Sequence, residues 1–329
     1  MRGLLVPRRT NYRNQRFRQV RLLRGRGRAF VSANHQAVSL RVMARFAAIF
    51  LLGIAAALKA DEFSDKFAVV MIDEGSEAKF GPFPYDRALM ARAAAACAGG
   101  GARAVAFKFF FDQPKTLAGD AALRDAMHTI PVVLQARLGG DGSTMREIPS
   151  RFRLTPDGLG TAVRDDQGWI PLPALLDAAA DVGFVDFNSR DIPLVEGYRG
   201  ASYKSLILCC LELAVGAKAR VNDGVRIQIG DGYIPVDARN VYRVDLTNLE
   251  PLKIISFERL LAGGVGRDEI KGRVVVIGLD SSPIPTLLTE HGRMGIHRFF
   301  VQCLAASYRT LRAKQPLEPV HATAGLTLR

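Results

Sequence analysis

Four acidic side chains stand where short apolar runs end. Asp73 and Glu74 follow one such run, Asp112 follows a second and Asp280 follows a third. Carboxylate oxygens are hard ligands that could hold Mg²⁺ or Ca²⁺, or bind another cation. A charged residue at the end of a strand is also often only the point at which the chain leaves the core. The four acids therefore predict either a ligand site or ordinary strand ends.

Lys108 is the one charge inside an otherwise apolar run, AVAFKFFF. Strand alternation places Phe107, Phe109 and Phe111 on one face of this strand and Lys108 on the other. Both faces of a parallel strand are normally covered. A buried ammonium at this position is costly unless it is paired, so Lys108 needs a partner.

The expected partner of Lys108 is Asp73, and Glu74 and Asp112 are the next candidates. In this hypothesis the strand that ends at Asp73 lies beside the strand that carries Lys108. The ion pair would fill the space that a divalent cation needs, so this site would hold no metal. No motif in the chain predicts a cofactor.

The segment GPFPYDR follows the first apolar run. Pro82 and Pro84 are expected to keep this segment extended, because proline restricts its own backbone. Phe83 or Tyr85 is then expected to pack over the edge of the sheet, either as part of the core or as a lid over a ligand. Asp86 stands where the N-cap of the next helix belongs.

Alternating strands and helices must position these side chains. Apolar runs at 67–73, 102–111 and 131–138 have the length of buried strands, and helical segments lie between them. The order strand, helix, strand, helix, strand requires a mostly parallel sheet with right-handed connections. The carboxyl ends of parallel strands share one edge, so the four acids are expected to cluster there.

The remaining segments complete a predicted α/β fold, with a mostly parallel sheet flanked by helices. Asp120 is expected to open the second helix, a later helix is expected at about 203–216, and another begins near Ser256. Residues 273–279 are predicted to form a further buried strand. The middle of the chain, 139–200, is rich in Gly, Asp and Pro and indicates long connections over the core.

Other reactive side chains form no recognisable motif. Cys97, Cys209, Cys210 and Cys303 have no C-x-x-C spacing, so buried apolar thiols are favoured over a disulfide. The five His residues do not lie at metal-ligand spacings. No nucleophile elbow, P-loop or dinucleotide fingerprint precedes a helix. An enzyme is not indicated, and a periplasmic metal-dependent hydrolase at the acidic edge is the alternative function.

The formal net charge of +13 is concentrated at one end of the chain. Residues 1–45 hold twelve Arg and no Lys, Asp or Glu, which leaves about +1 for the remaining residues. Arg-rich tails can neutralise phosphates, but this one has no helical apolar face and only scattered aromatic residues. No nucleic-acid partner is predicted.

An apolar segment, residues 46–58, follows the tail. It has the length of the apolar region of a signal peptide and is shorter than the ~20 residues that span a bilayer comfortably. One interpretation is a signal peptide that starts at Met43, with the first 42 residues a mis-called extension. The other is an uncleaved membrane anchor at 46–60 behind a cytoplasmic tail. Both interpretations place the following residues in the periplasm.

Segments in both halves of the chain resemble the type 2 CHASE domain family. In the first half these are VVMIDEGS, GPFPYDR, GARAVAFKFFFDQP and GDAALRDAM. In the second half they are ISFERLLAGG, EIKGRVVVIGLDSS and MGIHRFFVQCLAASYRTL. The resemblance covers most of residues 62–312. It implies an extracytoplasmic sensory domain of the kind found in front of bacterial cyclases, histidine kinases and protein kinases, and it implies no catalysis.

The sequence departs from the pattern of this family in three ways. Lys108 stands where the family usually has an acid, and Phe299 stands where it usually has a His when Gly295 is aligned. The transmembrane helices and the cytoplasmic output domain that are customary in the family are not seen. The expectation is therefore a stand-alone sensory domain that acts through a signalling kinase or cyclase partner.

The predicted organisation has four parts. They are an Arg-rich tail at 1–42, a signal peptide or anchor at 43–60, the sensory domain at 61–314 and a C-terminal tail at 315–329. The predicted function is an extracytoplasmic sensory or ligand-binding domain with an unknown small ligand. The predicted ligand-binding residues at the edge of the sheet are Asp73, Glu74, Tyr85, Lys108, Asp112 and Asp280.

Overall fold

A mostly parallel β-sheet lies between two layers of helices in the computed structural model of the chain. The structure describes residues 63–139, 145–155, 160–161, 163–281 and 284–313. None of the helices in these ranges has both the length and the apolar character needed to cross a membrane. The predictions for the Arg-rich tail, for the apolar segment and for the C-terminal tail fall outside the described residues.

The strands and helices are numbered in chain order. The strands are β1 Phe67–Ile72, β2 Ala104–Phe107, β3 Val132–Leu138, β4 Arg164–Asp165, β5 Gly168–Trp169, β6 Asp181–Phe184, β7 Asp191–Pro193, β8 Val195–Tyr198, β9 Ala201–Lys204, β10 Ala219–Asn222, β11 Arg226–Ile229, β12 Gly232–Pro235, β13 Val241–Arg243, β14 Ile254–Ser256, β15 Val274–Leu279, β16 Thr286–Thr289 and β17 Gly292–Gly295. The helices are α1 Glu74–Phe80, α2 Arg87–Gly99, α3 Leu117–Met127, α4 Pro173–Ala178, α5 Leu206–Val215, α6 Phe257–Leu261, α7 Arg267–Ile270 and α8 Ile296–Arg312.

The central sheet has the strand order β14, β1, β15, β2, β3, β6, and every pair of neighbours in this order is parallel. The short strand β5 adds an antiparallel partner to β3. β15 comes from late in the chain and pairs with the full length of β1, from Phe67 opposite Val274 to Ile72 opposite Leu279. The predicted α/β fold with a mostly parallel sheet is confirmed.

Alternate side chains of the sheet enter two separate apolar cores. Val70, Phe107, Phe109 and Phe111 lie in the core that α2, α3 and α6 cover. Met71 lies in the core that α5 and α8 cover on the opposite face. Both faces of the sheet are therefore buried, as expected of parallel strands. The predicted alternation in the second strand is confirmed for its phenylalanines.

Local capping agrees with the sequence at one helix and differs at another. Asp86 accepts a hydrogen bond from the Ala88 N–H at 2.8 Å and caps α2, as predicted. Thr116, not Asp120, caps α3, because the Thr116 hydroxyl accepts from the Gly119 N–H at 3.1 Å. Asp120 lies in the first turn of α3 and pairs instead with the Arg87 guanidinium.

The middle of the chain contains more regular structure than its composition suggests. β6 joins the central sheet and pairs with β3, with Asp181 opposite Val133. The segment DVGF is too short to show a periodic pattern, so this strand was not predicted from the sequence. A buried ion cluster ties it to its surroundings, since the Lys204 ammonium contacts Asp181 and lies 2.9 Å from the Glu212 carboxylate in α5.

Aromatic packing at the edge of the sheet agrees with the prediction for the GPFPYDR segment. The Phe83 ring lies 4.9 Å from that of Phe109, and the Tyr85 ring lies 5.9 Å from that of Phe257. The four cysteines are buried and free, which confirms their interpretation as small apolar side chains.

Candidate functional site

The carboxyl edge of the central sheet brings together side chains from several neighbouring strands. In parallel sheets this edge is where ligands bind, because loops and helix ends open above it. Asp73 follows β1, Lys108 follows β2, Asp280 follows β15 and Asp186 lies just beyond β6. These four residues define two regions of the edge, one around Asp73 and one around Lys108.

Asp73 works as a helix cap. Its carboxylate accepts hydrogen bonds from the Ser76 N–H at 2.9 Å, from the Ser76 hydroxyl at 2.6 Å and from the Ser256 hydroxyl at 3.1 Å. Partial burial acts to raise the pKa of Asp73, but these hydrogen bonds outweigh it and lower the pKa. Glu74 is exposed in the first turn of α1. Asp73 therefore starts α1 with its negative charge already satisfied.

Asp280 and Asp112 have partners of their own. The Arg298 side chain donates to Asp280 through Nε at 2.7 Å and through its terminal nitrogen at 2.5 Å, and this bond raises the pKa of Arg298. Asp112 accepts from the Gln113 side chain at 3.1 Å. Within the described residues, no three His, Cys, Asp or Glu side chains gather as a group that could hold a metal ion. Among these residues, the four predicted acids therefore form no such metal-holding group.

Tyr85 is buried in an aromatic group beside the Asp73 region. Its ring packs against Phe80, Phe83 and Phe257. Its hydroxyl has no hydrogen-bond partner among the residues that the structure describes. Burial raises the pKa of Tyr85 to about 12, and the charges of Glu77 and Asp73 add to this effect. Tyr85 thus stays neutral and contributes mainly apolar surface.

Lys108 is buried, with 7% of its surface exposed. Its ammonium donates to the Gln135 side-chain oxygen at 2.7 Å and lies 5.2 Å from the centre of the Phe300 ring. Among the described residues, no carboxylate lies within 4 Å of this ammonium. The predicted pairing with Asp73, Glu74 or Asp112 is therefore wrong. For Asp73 and Glu74 the reason is topological, because β15 lies between β1 and β2 and separates the two regions.

The neighbouring side chains stabilise the positive charge of Lys108 only weakly. Burial lowers the pKa of Lys108 to about 7, the nearby charge of Arg137 acts in the same direction, and the charge of Asp186 opposes both. Gln135 and the Phe300 ring stabilise an ammonium without neutralising it. Near neutral pH this lysine therefore lies close to its titration midpoint, which is uncommon and typical of functional sites.

Asp186 and Glu196 form a second unusual feature of this region. Asp186 accepts from the Leu138 N–H at 3.0 Å, and the Arg137 Nε lies 3.9 Å from its carboxylate. Glu196, in β8, is fully buried, and neither of its oxygens meets a donor group from the described residues. Burial raises the pKa of Asp186, and burial together with the charge of Asp186 raises that of Glu196 well above its usual value.

His297, in the first turn of α8, borders the Lys108 region. Its Nδ1 accepts a hydrogen bond from the Leu279 N–H at 3.1 Å, which places the ring proton on Nε2. Burial lowers the pKa of His297 to about 3, and the positive charge of Lys108 adds to this effect. The imidazole is therefore neutral at all ordinary pH values and supports the end of β15.

Two cavities meet at Asp186. A small one of about 20 Å³ lies between Lys108, Asp186 and the first turns of α8, and it has room for about one water molecule. A larger groove of about 550 Å³ opens on the outer side of Asp186, between Asp191 and Arg243. Asp186 therefore connects the buried ammonium with a groove that is accessible from solvent.

Comparison with protein families decides what kind of domain this is. Residues 26–289 match the family model of the CHASE2 domain, which is more than half of the chain. The chain belongs to the CHASE2 domain family. CHASE2 domains are extracytoplasmic sensory domains, they generally sit in signalling proteins and they are not typically catalytic. No curated protein and no solved structure matches the chain.

The family resemblance seen in the sequence is thereby confirmed. The CHASE2 match starts within the Arg-rich tail and ends in β16. The predicted domain limits, 61–314, stay a prediction, as do the roles assigned to the six ligand-binding residues. In the CHASE2 fold of this chain, Lys108 belongs to one region of the edge, and Asp73, Glu74 and Tyr85 belong to the other.

Several residues of the Lys108 region were not predicted from the sequence. Gln135 is the one uncharged polar side chain in the run VVLQARL, and a polar residue in a buried neighbouring strand was the signal that could have found it. Asp186 and Glu196 lie in the part of the chain without periodic patterns, where the sequence offers no such signal.

Proposed function

We propose that this CHASE2 domain receives its signal at the carboxyl edge of the sheet, around Lys108 and Asp186, and passes it to a signalling kinase or cyclase. The family supports an extracytoplasmic sensory role. The observation that supports the site is a buried ammonium whose closest partners are neutral, placed one side chain away from an open groove. A group with such weak compensation responds strongly to any charge that arrives beside it.

Helix α8 is the element that would carry the response. Its first turns contact the site through His297 and Phe300. The helix is 17 residues long in total and continues to Arg312 along the core that α5 and α8 cover. A change in charge at Lys108 alters the contact with the Phe300 ring directly. A shift of a rigid helix transmits such a change over its whole length.

The other predicted ligand contacts keep a place in this proposal. Asp280 lies at the rim of the site, held by Arg298 at the start of α8. Asp73, Glu74, Tyr85 and Asp112 lie at the same edge of the sheet and stay predicted contacts of a ligand that covers it. We also propose that residues 43–60 direct the domain to the periplasm, either as a cleaved signal peptide or as an inner-membrane anchor.

A chimaeric kinase tests the sensory role. The chain would be joined to the transmembrane and kinase portions of a histidine kinase, and autophosphorylation would be measured in membrane vesicles. Lys108→Met is expected to change the basal activity about fivefold or more, the lower end of typical allosteric coupling. The matched control is Lys66→Met, because Lys66 is exposed and lies at the opposite end of β1. Equal activities for the two variants would contradict the proposal, provided that circular dichroism shows both to be folded.

A further inference from the structure

Glu196 has a buried carboxyl group that no donor from the described residues satisfies. The residue is 0% exposed, and neither carboxyl oxygen meets an N–H or O–H group from the described part of the chain. Its neighbour is the carboxyl group of Asp186. Two carboxylates in contact repel each other, whereas a carboxylic acid and a carboxylate form a strong hydrogen bond. The arrangement is therefore stable only when one proton lies between the two groups.

The surroundings decide which of the two groups keeps the negative charge. Asp186 accepts the Leu138 N–H at 3.0 Å and lies 3.9 Å from the Arg137 side chain, so its charged form is stabilised. Glu196 lacks such support among the described residues, so it is the carboxylic acid and donates its O–H to Asp186. Burial and the charge of Asp186 raise the pKa of Glu196, in agreement with this assignment.

Other charged groups face this pair from the sheet and from the groove. Arg137 reaches it from β3, and Lys108 faces it from the end of β2. On the groove side the charged residues around Asp186 are Asp191, Asp237, Arg239 and Arg243. Asp191 and Arg243 neutralise each other at 3.2 Å, and the Asp237 carboxylate accepts backbone N–H groups. The charge state of the pair is therefore felt by Arg137 on the exposed side and by Lys108 on the buried side.

Protons can reach the pair without opening the core. Asp186 is partly exposed to the groove of about 550 Å³ and also lines the small cavity beside Lys108. A proton taken from water through the groove would bind to the pair, and a proton released from it would return by the same path. The small cavity has room for about one water molecule.

We propose that Asp186 and Glu196 form a single proton-binding site, coupled through Lys108 and Phe300 to helix α8. Proton release places a second negative charge beside Lys108 and favours its ammonium form over the neutral amine. The ammonium then strengthens its contact with the Phe300 ring. This inference identifies the proton as the signal in the sensory role proposed above. Only the step from the proton site to a signalling output rests on that role.

The proton site can be tested on the purified full chain. Urea unfolding would be followed at several pH values between 5 and 8 for the natural protein and for Glu196→Gln, whose side-chain amide donates to Asp186 as the acid does. Because the pKa of Glu196 is raised in the fold, its stabilising effect is complete below its unfolded pKa and is lost as the pH rises. We expect the unfolding constant of the natural protein to rise about tenfold more over this range than that of the variant. Glu147→Gln, an exposed control, should follow the natural protein.

Infrared spectroscopy covers the case in which the variant fails to fold. In natural protein labelled with ¹³C-glutamate, a carboxylic acid band is expected at pH 7. Its absence would overturn the proton site, as would parallel unfolding curves for the natural protein and Glu196→Gln.

The sensing step is tested separately with the chimaeric kinase. If the band is present but external pH leaves the kinase unchanged, the proton is not the signal. If Lys108→Met also leaves the kinase unchanged, the proposed function itself fails.

Discussion

Lys108 shows how one residue can be buried, charged and only partly compensated. Its hydrogen bond to Gln135 and its contact with Phe300 involve neutral groups, so burial dominates and lowers its pKa to about 7. The usual pKa of lysine is 10.5. Between these two pH values the unfolded chain binds more protons than the folded chain does. The free energy of unfolding therefore rises with pH in this range, and the gain is lost as the pH falls to 7.

Lys108→Met should remove this part of the pH dependence. Each pH unit between 7 and 10 contributes up to about 1.4 kcal/mol of stability through Lys108. We expect urea unfolding at pH 7, 8 and 9 to give a flatter rise for the variant than for the natural protein. Lys66→Met removes an exposed lysine and should leave the rise unchanged. Curves of equal slope for Lys108→Met and the natural protein would show that burial of the ammonium does not destabilise the folded state.

Tyr85 offers a second test at the scale of a single side chain. Its hydroxyl is buried without a partner among the described residues, whereas its ring packs in an aromatic group. Tyr85→Phe is expected to leave the free energy of unfolding unchanged or to raise it by up to about 1 kcal/mol. Tyr85→Ala should lower it by about 3–5 kcal/mol, because the ring is lost from the core. A clear loss of stability in Tyr85→Phe would show that the hydroxyl is in fact bonded.

At the scale of elements, the position of β15 determines which residues meet. Its insertion between β1 and β2 keeps Asp73 away from Lys108 and leaves β2 next to β3, which carries Gln135. On the far side, β6 brings Asp186 to the same edge. The site is therefore made by neighbouring strands β2, β3 and β6 together with the start of α8.

The contact between β6 and α5 depends on a glycine. A Cβ atom at Gly183 would lie 2.4 Å from the Leu206 Cα and 2.5 Å from its backbone nitrogen, so the backbone itself would have to move. Gly183→Ala is expected to lower the free energy of unfolding by about 3 kcal/mol, as overpacking of a rigid contact does.

Gly99→Ala is the matched control for this contact. Gly99 ends α2, nothing lies within 4 Å of the point that its Cβ atom would occupy, and alanine favours the helix. This change should leave the stability unchanged or raise it by up to about 1 kcal/mol. Thermal or urea unfolding of both variants measures the difference. Equal stabilities would show that β6 and α5 are not in close contact.

At the scale of the whole molecule, membership of an extracytoplasmic domain family supports a location outside the cytoplasm. The described part of the chain is an α/β sheet with both faces covered, and α8 is its longest helix. A sensory domain of this kind has to reach the outer side of the membrane, so the export that we propose for residues 43–60 is the property to test first.

A fusion to periplasmic alkaline phosphatase tests export. Residues 43–66 joined to this reporter are expected to give an active enzyme, because alkaline phosphatase becomes active only after it leaves the cytoplasm. A fusion that starts at residue 61 is the control and should be inactive. Mass spectrometry of the mature N-terminus then distinguishes cleavage near Ala57 or Ala60 from an intact anchor. An inactive fusion with residues 43–66 would refute export by this segment.

Local patterns were sufficient for much of the fold. Continuous apolar runs identified β1, β2, β3 and β15, because strands buried on both faces need apolar side chains at every position. The cap at Asp86 and the alternation of Phe107 and Phe109 follow from short-range geometry, which the sequence contains in full. The family resemblance rested on the same segments.

Long-range pairing was decided only by the tertiary structure. Lys108 was correctly expected to need a partner, since the cost of burying an ammonium can be inferred from its position in an apolar strand. Its partner could not be named, because the strand order depends on where β15 inserts into the sheet. β15 lies more than 160 residues after Lys108 in the chain. The contact between Asp186 and Glu196 has the same origin. Neither residue lies in a periodic segment, and only the closure of β6 and β8 around the site brings their carboxyl groups together.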